Sequence, residues 1–194
     1  RQRAAASVGK EKHDLLMRIA MSTNDIADWD ATLNDAIDRC DTPAICRSRL
    51  NRIQCLFNFY SVDSAIIEAR ESLPFILNAK QYSFYFSTYN TFISGLFKQR
   101  RFDEAREEAT TMFETAQQVK QPVGMTMALQ VQGSMYYKLG LYDQALTSLE
   151  KGIAICPTYE NGENQGHYIS AVLYEWLFMT ALKVNDTERI SRYA

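Results

Sequence analysis

The chain has 194 residues, 46% hydrophobic and 23% charged, with a formal net charge of -2. That balance suits a globular protein with a sizeable core and supplies no excess of cations to favour nucleic acid. Four prolines and eight glycines are too few for an all-β protein built on many turns, and four cysteines with two histidines show no metal-ligand spacing.

The pattern predicts antiparallel helix hairpins in sequence. The first covers about 12–40 and contains Trp29-Asp30-Ala31-Thr32. Cys40 and Cys46 then flank a turn, "CDTPAIC"; a disulfide there is sterically conceivable in an oxidising compartment, and spacing alone leaves it open. The second hairpin, about 45–78, contains Val62-Asp63-Ser64-Ala65, and Cys55 on its apolar face reads as a small core residue. The third covers about 82–120. Its aromatic run from Tyr82 to Phe92 reads as packing more readily than as a ligand-stacking surface, with Phe86, Tyr89 and Ile93 buried and Asn90 and Ser94 turned elsewhere. Lys98, Arg100 and Arg101 complement the negative end of that helix dipole. The second helix of this pair is expected from Asp103 to about Val119.

The fourth hairpin, about 125–157, is the clearest. Leu129, Gly133, Tyr136 and Gly140 recur on one helical face. Gly140 suits the left-handed end of that helix, and Asp143 suits the start of the next. Gly133 and Ala145 are small where the two rods must meet, and Pro157 stops the second helix. The fifth hairpin, about 167–194, is cut short. "GENQGH" reads as a loop leading into a helix from Tyr168 to Lys183, which is apolar nearly all round. Its apolar stretch is interrupted by Glu175 and falls short of the roughly 20 residues a membrane span needs. Trp176 and Phe178 therefore call for cover, as from a further repeat, and the sequence is expected to be a fragment of a longer protein.

The aspartates Asp30, Asp63, Asp103 and Asp143 are 33, 40 and 40 residues apart (63−30, 103−63, 143−103), and Thr187-Glu188-Arg189-Ile190 is a degenerate fifth copy after "KVN". A near-fixed period of this size marks a solenoid. "LQVQGSMYYKLGLYDQALTSLEKGIAICP" resembles a tetratricopeptide repeat through Leu129, Gly133, Tyr136, Gly140, Tyr142, Ala145, Leu149, Gly152 and Pro157; Gln132 departs from it. The resemblance covers most of the chain from Lys12 and implies an all-α fold, a right-handed α-α superhelix of four to five antiparallel hairpins over 1–194. The period of 40 exceeds the family's usual 34, so the extra residues are expected in the second helix or the loop after it. Such extended repeats are similar to those of peptide-sensing bacterial regulators and of kinesin light chains. The likeness to membrane-tethered regulators implies a periplasmic or other extracytoplasmic place over a cytoplasmic one.

In that family the first helices line the concave side and take peptides. Transferred to matching positions, the groove comprises Arg47, Leu50, Gln54, Phe57 and Asn58 in one hairpin. The next supplies Ser87, Asn90, Ser94, Phe97 and Lys98, and the third Met127, Gln130, Ser134, Tyr137 and Lys138. Leu50 and Met127 stand at basic positions of the carboxylate-clamping relatives, so that pattern is not reproduced. There is no glycine-rich phosphate loop, GxSxG or HExxH, and His167 has no identifiable partner. The expectation is a non-enzymatic protein- or peptide-binding module without a cofactor, part of a bacterial signalling protein. It would touch no nucleic acid and insert in no membrane, and the apolar C-terminal helix could self-associate. The alternative is a receptor for a glycan or short peptide.

Overall fold

The computed structural model describes residues 2–156 and 165–193, with side chains from residue 9 and, in the second stretch, from residue 169. Pro157 and the first part of "GENQGH" lie outside the described residues. Those described are all helical or in short turns. Two compact units divide at Gln99/Arg100. The first holds α1 (Gln2–Thr23), α2 (Ile26–Asp38), α3 (Thr42–Cys55) continued by a π-helical turn (Leu56–Tyr60), α4 (Val62–Asn78) and α5 (Tyr82–Lys98). The second holds α6 (Phe102–Gln118), α7 (Pro122–Lys138), α8 (Tyr142–Ile155), α9 (Gln165–Val184) and α10 (Thr187–Tyr193). The helix expected from Tyr168 thus begins at Gln165, and α6 stops at Gln118 with Val119 as its cap.

Left-handed residues set the beat of the chain. Lys80, Arg100, Lys120 and Gly140 all have positive φ and stand 20 residues apart, and Asn24, Cys40 and Asn185 occupy similar corners. At Gly140 the N–H donates to the Tyr137 carbonyl at 3.0 Å and the Leu141 N–H to the Tyr136 carbonyl at 2.9 Å. Cys40, Lys80, Lys120 and Asn185 make the same pair of bonds. This is the Schellman arrangement, which satisfies the last carbonyls and reverses the chain at once. Helices α4 to α7 each have 17 residues and the turns between them three, so the long period comes from helix length and no loop is enlarged.

Asp63, Asp103 and Asp143 are each the second residue of their helix, and Glu188 holds the same place in α10. None of the three aspartates is the cap itself: Ser61 caps α4 with its hydroxyl, while Arg101 and Leu141 precede α6 and α8 without a side-chain bond. The carboxylates act on the first turn through its dipole. Asp30 breaks the pattern, lying fifth in α2 behind the cap Asp25. Trp29 is out of register with the aromatics at the later helix starts. It sits three residues past its helix start, where α4, α6 and α8 have Ala65, Ala105 and Ala145, and like them it is buried.

In the first unit α1 packs on α2, α2 on α3, α3 on α4 and α5, and α4 on α5. A Cβ on Gly95, near the end of α5, would stand 2.8 Å from Ile66, near the start of α4, so these helices run antiparallel in close contact. Met17, Ala20, Trp29 and Cys55 form one core cluster. Arg52 of α3 binds Asp30 of α2 at 2.6 Å and also Glu68 of α4. At the α3–α4 corner there is no left-handed residue: the Ser61 N–H reaches the Leu56 carbonyl at 2.9 Å, and Tyr60 accepts a bond from the Ile26 N–H at 3.2 Å.

In the second unit α7 lies against α6, α8 and α9, and α8 against α9. A Cβ on Gly133 would collide with the Leu149 side chain, Tyr137 meets Tyr142 beside the turn, and Gly152 approaches Leu129 further along; α7 and α8 are therefore antiparallel. Ala145, Leu146, Leu149, Leu173 and Leu177 make the core. Arg189 and Tyr193 of α10 both hold Glu150 of α8, at 2.8 and 3.0 Å.

Candidate partner-binding faces

The face of α5 that avoids the core follows from helical spacing. Tyr85, Phe86, Tyr89, Phe92, Ile93 and Leu96 are buried, which leaves Ser87, Asn90, Ser94 and Phe97 half-buried along one stripe and Lys98 exposed at its end. In α7 the same stripe is Met127, Gln130, Ser134 and Tyr137, all half-buried, with Lys138 exposed. In α3 and its π-helical extension Arg47 and Asn58 are exposed, and Gln54 and Phe57 half-buried. Leu50 is 8% exposed and belongs to the core, so it offers a partner little surface.

Some of these residues meet. Within the first unit the Lys98 ammonium lies 4.9 Å from the centre of the Phe57 ring, joining α5 to the end of α3. Within the second, Tyr137 contacts Trp176 edge-on at 5.3 Å, and Lys138 stands 5.9 Å over the same indole. Trp176 was expected to need outside cover; in the structure it is half-buried against these α7 residues. Phe178 is likewise half-buried, while Tyr174 and Leu182 remain exposed. Ser134 donates its hydroxyl to the Val131 carbonyl at 2.9 Å, so part of the polar stripe is satisfied within its own helix.

No sequence motif marks the charge of these helices. Asp and Glu are absent from 42–60, 82–98 and 122–138, which carry only Arg47, Arg49, Arg52, Lys98 and Lys138 as charged residues. The helices between them hold the acids: Asp63, Glu68 and Glu71 in α4, and Asp103, Glu104, Glu107, Glu108 and Glu114 in α6. The signal was readable once helix bounds were known; a search for motifs passes over an absence.

Other polar clusters serve packing. Asp35, 6% exposed, takes Lys12 at 2.8 Å and Arg39 at 3.0 Å, with His13 Nδ1 3.3 Å away. Burial raises the Asp35 pKa, but the hydrogen bonds from Lys12 and Arg39 outweigh it and hold the carboxyl below the usual range. Cys40, Cys46 and Cys55 are free thiols; Cys40 is exposed on its turn, and burial pushes the Cys46 thiol up. Among the described residues no group of His, Cys, Asp or Glu could hold a metal ion. No described helix is long and apolar enough to cross a membrane. The His167 side chain lies outside the described residues. No protein-family model matches the sequence, and no curated protein matches it.

Proposed function

We propose that the chain is a non-enzymatic interaction module of tetratricopeptide type, its hairpins being repeats of a right-handed α-α superhelix. In each unit the first helices of the pairs would present a face to an extended protein or peptide segment. In a parent signalling protein this would be the sensing or regulatory part.

The observation that carries the reading is the return of one surface at intervals of 40. Phe57, Phe97 and Tyr137 are all half-buried aromatics, and each is followed by an exposed polar residue, Asn58, Lys98 or Lys138. One turn earlier stand Gln54, Ser94 and Ser134, all half-buried and polar. In the first unit α3 packs on α5 and in the second α7 on α9, so first helices lie side by side within each unit. Ring anchors flanked by amides and hydroxyls suit a ligand held partly through its backbone.

Panning a displayed peptide library on the folded chain tests this. Recovered peptides should lose binding to Asn90→Arg in α5 or Gln130→Arg in α7, with the circular dichroism melt held near that of the parent. Glu114→Arg in α6 should bind as before. Peptides indifferent to both face substitutions would overturn the assignment.

A further inference from the structure

We infer that Arg49 of α3, with Ser72 and Phe75 of α4, forms a binding site of its own, for a small ligand that sets a carboxylate beside an apolar group. The site goes beyond the peptide reading and does not depend on it. Among the described residues four arginines are half-buried: Arg39, Arg49, Arg52 and Arg189. Arg39 holds Asp35 and Asp41, Arg52 holds Asp30 and Glu68, and Arg189 holds Glu150 and Asp186. Arg49 pairs with no described carboxylate. Its contacts are the Phe75 ring, whose centre is 4.8 Å from Cζ, and the Ser72 hydroxyl, 3.4 Å from Nη1. Its Nε is buried without an acceptor, so the Nη edge is the side a ligand reaches. A guanidinium that has given up water on one edge and gained no counter-charge carries a cost that an incoming anion offsets.

Helix spacing shows what is lacking. Arg52 and Arg49 are three apart on α3 and neighbours on one face. Arg52 is held from α2 by Asp30 and from α4 by Glu68. One turn further along α4 comes Ser72, beside Arg49, and one turn further along α2 comes Asn34, which is exposed. The next turn brings Phe75 on α4 and Ile37 on α2, 38% and 46% exposed. The arginine is repeated and its acids are not. Glu71 and Asp38, next in sequence to Ser72 and Ile37, are exposed and form no ion pair with Arg49. Arg49 also stands about 100–160° around α3 from Arg47, Leu50 and Gln54, so the site is turned away from the stripe offered to a peptide.

A ring under a guanidinium also serves simply to brace two helices. Lys151 of α8 makes such a contact with Phe113 at 4.7 Å, but it is exposed and keeps its water. Arg49 is enclosed, which separates it from a brace. A planar carboxylate matches the guanidinium fork through two parallel bonds, and Phe75 offers apolar surface to the rest of the ligand. One arginine neutralises a monoanion and leaves a phosphate dianion half-compensated, so the charge favours the carboxylate.

The test titrates the isotope-labelled chain with sodium benzoate at constant ionic strength, and in parallel with benzamide and with inorganic phosphate. Benzoate should shift the Arg49 Nε–H resonance and the Ser72 and Phe75 amides along one saturating curve, with Kd on the order of 1 mM. Benzamide, the neutral isostere, should bind at least about tenfold more weakly. Arg49→Lys keeps the charge and loses the fork, and should weaken benzoate about threefold to tenfold. Arg49→Gln should abolish the curve, and Arg18→Gln, at an exposed position of α1, should leave it. Equal curves for benzoate and benzamide overturn the site on the parent chain alone, even where Arg49→Gln fails to fold. So does the absence of any curve, or a benzoate curve that survives Arg49→Gln. Phosphate binding as tightly as benzoate overturns the assignment to a carboxylate. None of these results bears on peptide capture by α5 and α7, which is read separately.

Discussion

At the scale of single residues, the left-handed corners separate backbone from packing. A Cβ on Gly140 meets nothing within 4 Å, yet its φ is +76°. Gly140→Ala should therefore cost about 1 kcal/mol by strain alone, measured by urea unfolding. Lys120 holds φ 55° with a side chain, so Lys120→Gly should shift stability the other way by a few tenths, relief of strain being offset by freedom in the unfolded chain. Gly133 is the opposite case. Gly133→Ala pushes a methyl into Leu149, and overpacking should cost about 1–3 kcal/mol; a variant as stable as the parent would mean α7 and α8 are not in contact there. Gly133 and Gly140 were readable in the sequence because glycine is the residue that most readily takes a close helix contact or a left-handed corner. The corners at Lys80, Arg100 and Lys120 were not, since long polar residues give no local sign of a left-handed φ. Trp29 misled for a related reason: its aromatic-then-aspartate spelling matched the phrase, while its burial placed it in an alanine's slot.

At the scale of elements, two carboxylates fasten helix to helix. Asp35 ties α2 to α1, and Glu150 ties α8 to α10. Hydrogen bonds from Arg189 depress the Glu150 pKa most, with burial opposing them, and Asp35 is depressed as described above. Both groups bind protons more weakly folded than unfolded. Their contribution is therefore complete above the ordinary carboxylate range, about pH 4, and fades as the pH falls through the lower folded values. Thermal melts from pH 7 to pH 3 should show a falling Tm, less steep in Asp35→Asn and Glu150→Gln than in the parent; unchanged slopes in both would remove these ties from the account. Helix identity and order were legible because the period agrees with the acidic residues of the first turns and with Gly140 at its corner. The π-helical turn at Leu56–Tyr60 was not, as "LFNFY" has the composition of an ordinary α-helical end and the extra residue shows only in the bonding of Ser61.

At the scale of the whole molecule, stability should be uneven. α10 contains no buried residue, whereas α7 and α8 contain Ala128, Ala145 and Leu149 at full burial. Hydrogen exchange should release α10 amides first and those of α7 and α8 among the last. Uniform exchange across all helices would contradict that ranking. The place of Asn90 and Ser94 on α5 was legible from spacing alone, since a helix whose apolar residues recur three and four apart must show its remaining residues elsewhere. The burial of Leu50 was not, because transferring a position from a resemblance carries the place of a residue without its surroundings.

On the proposed repeat reading, the even distance between corners makes the chain editable in whole cassettes. Excising 81–120 would join Lys80 to Gln121, so a corner residue again meets the lead-in to a helix start, as it does at Lys120. The shortened polypeptide should still be helical and melt cooperatively. A cut of any length out of step with the beat would leave a rod facing the wrong way at its join, and the damage would spread from the seam.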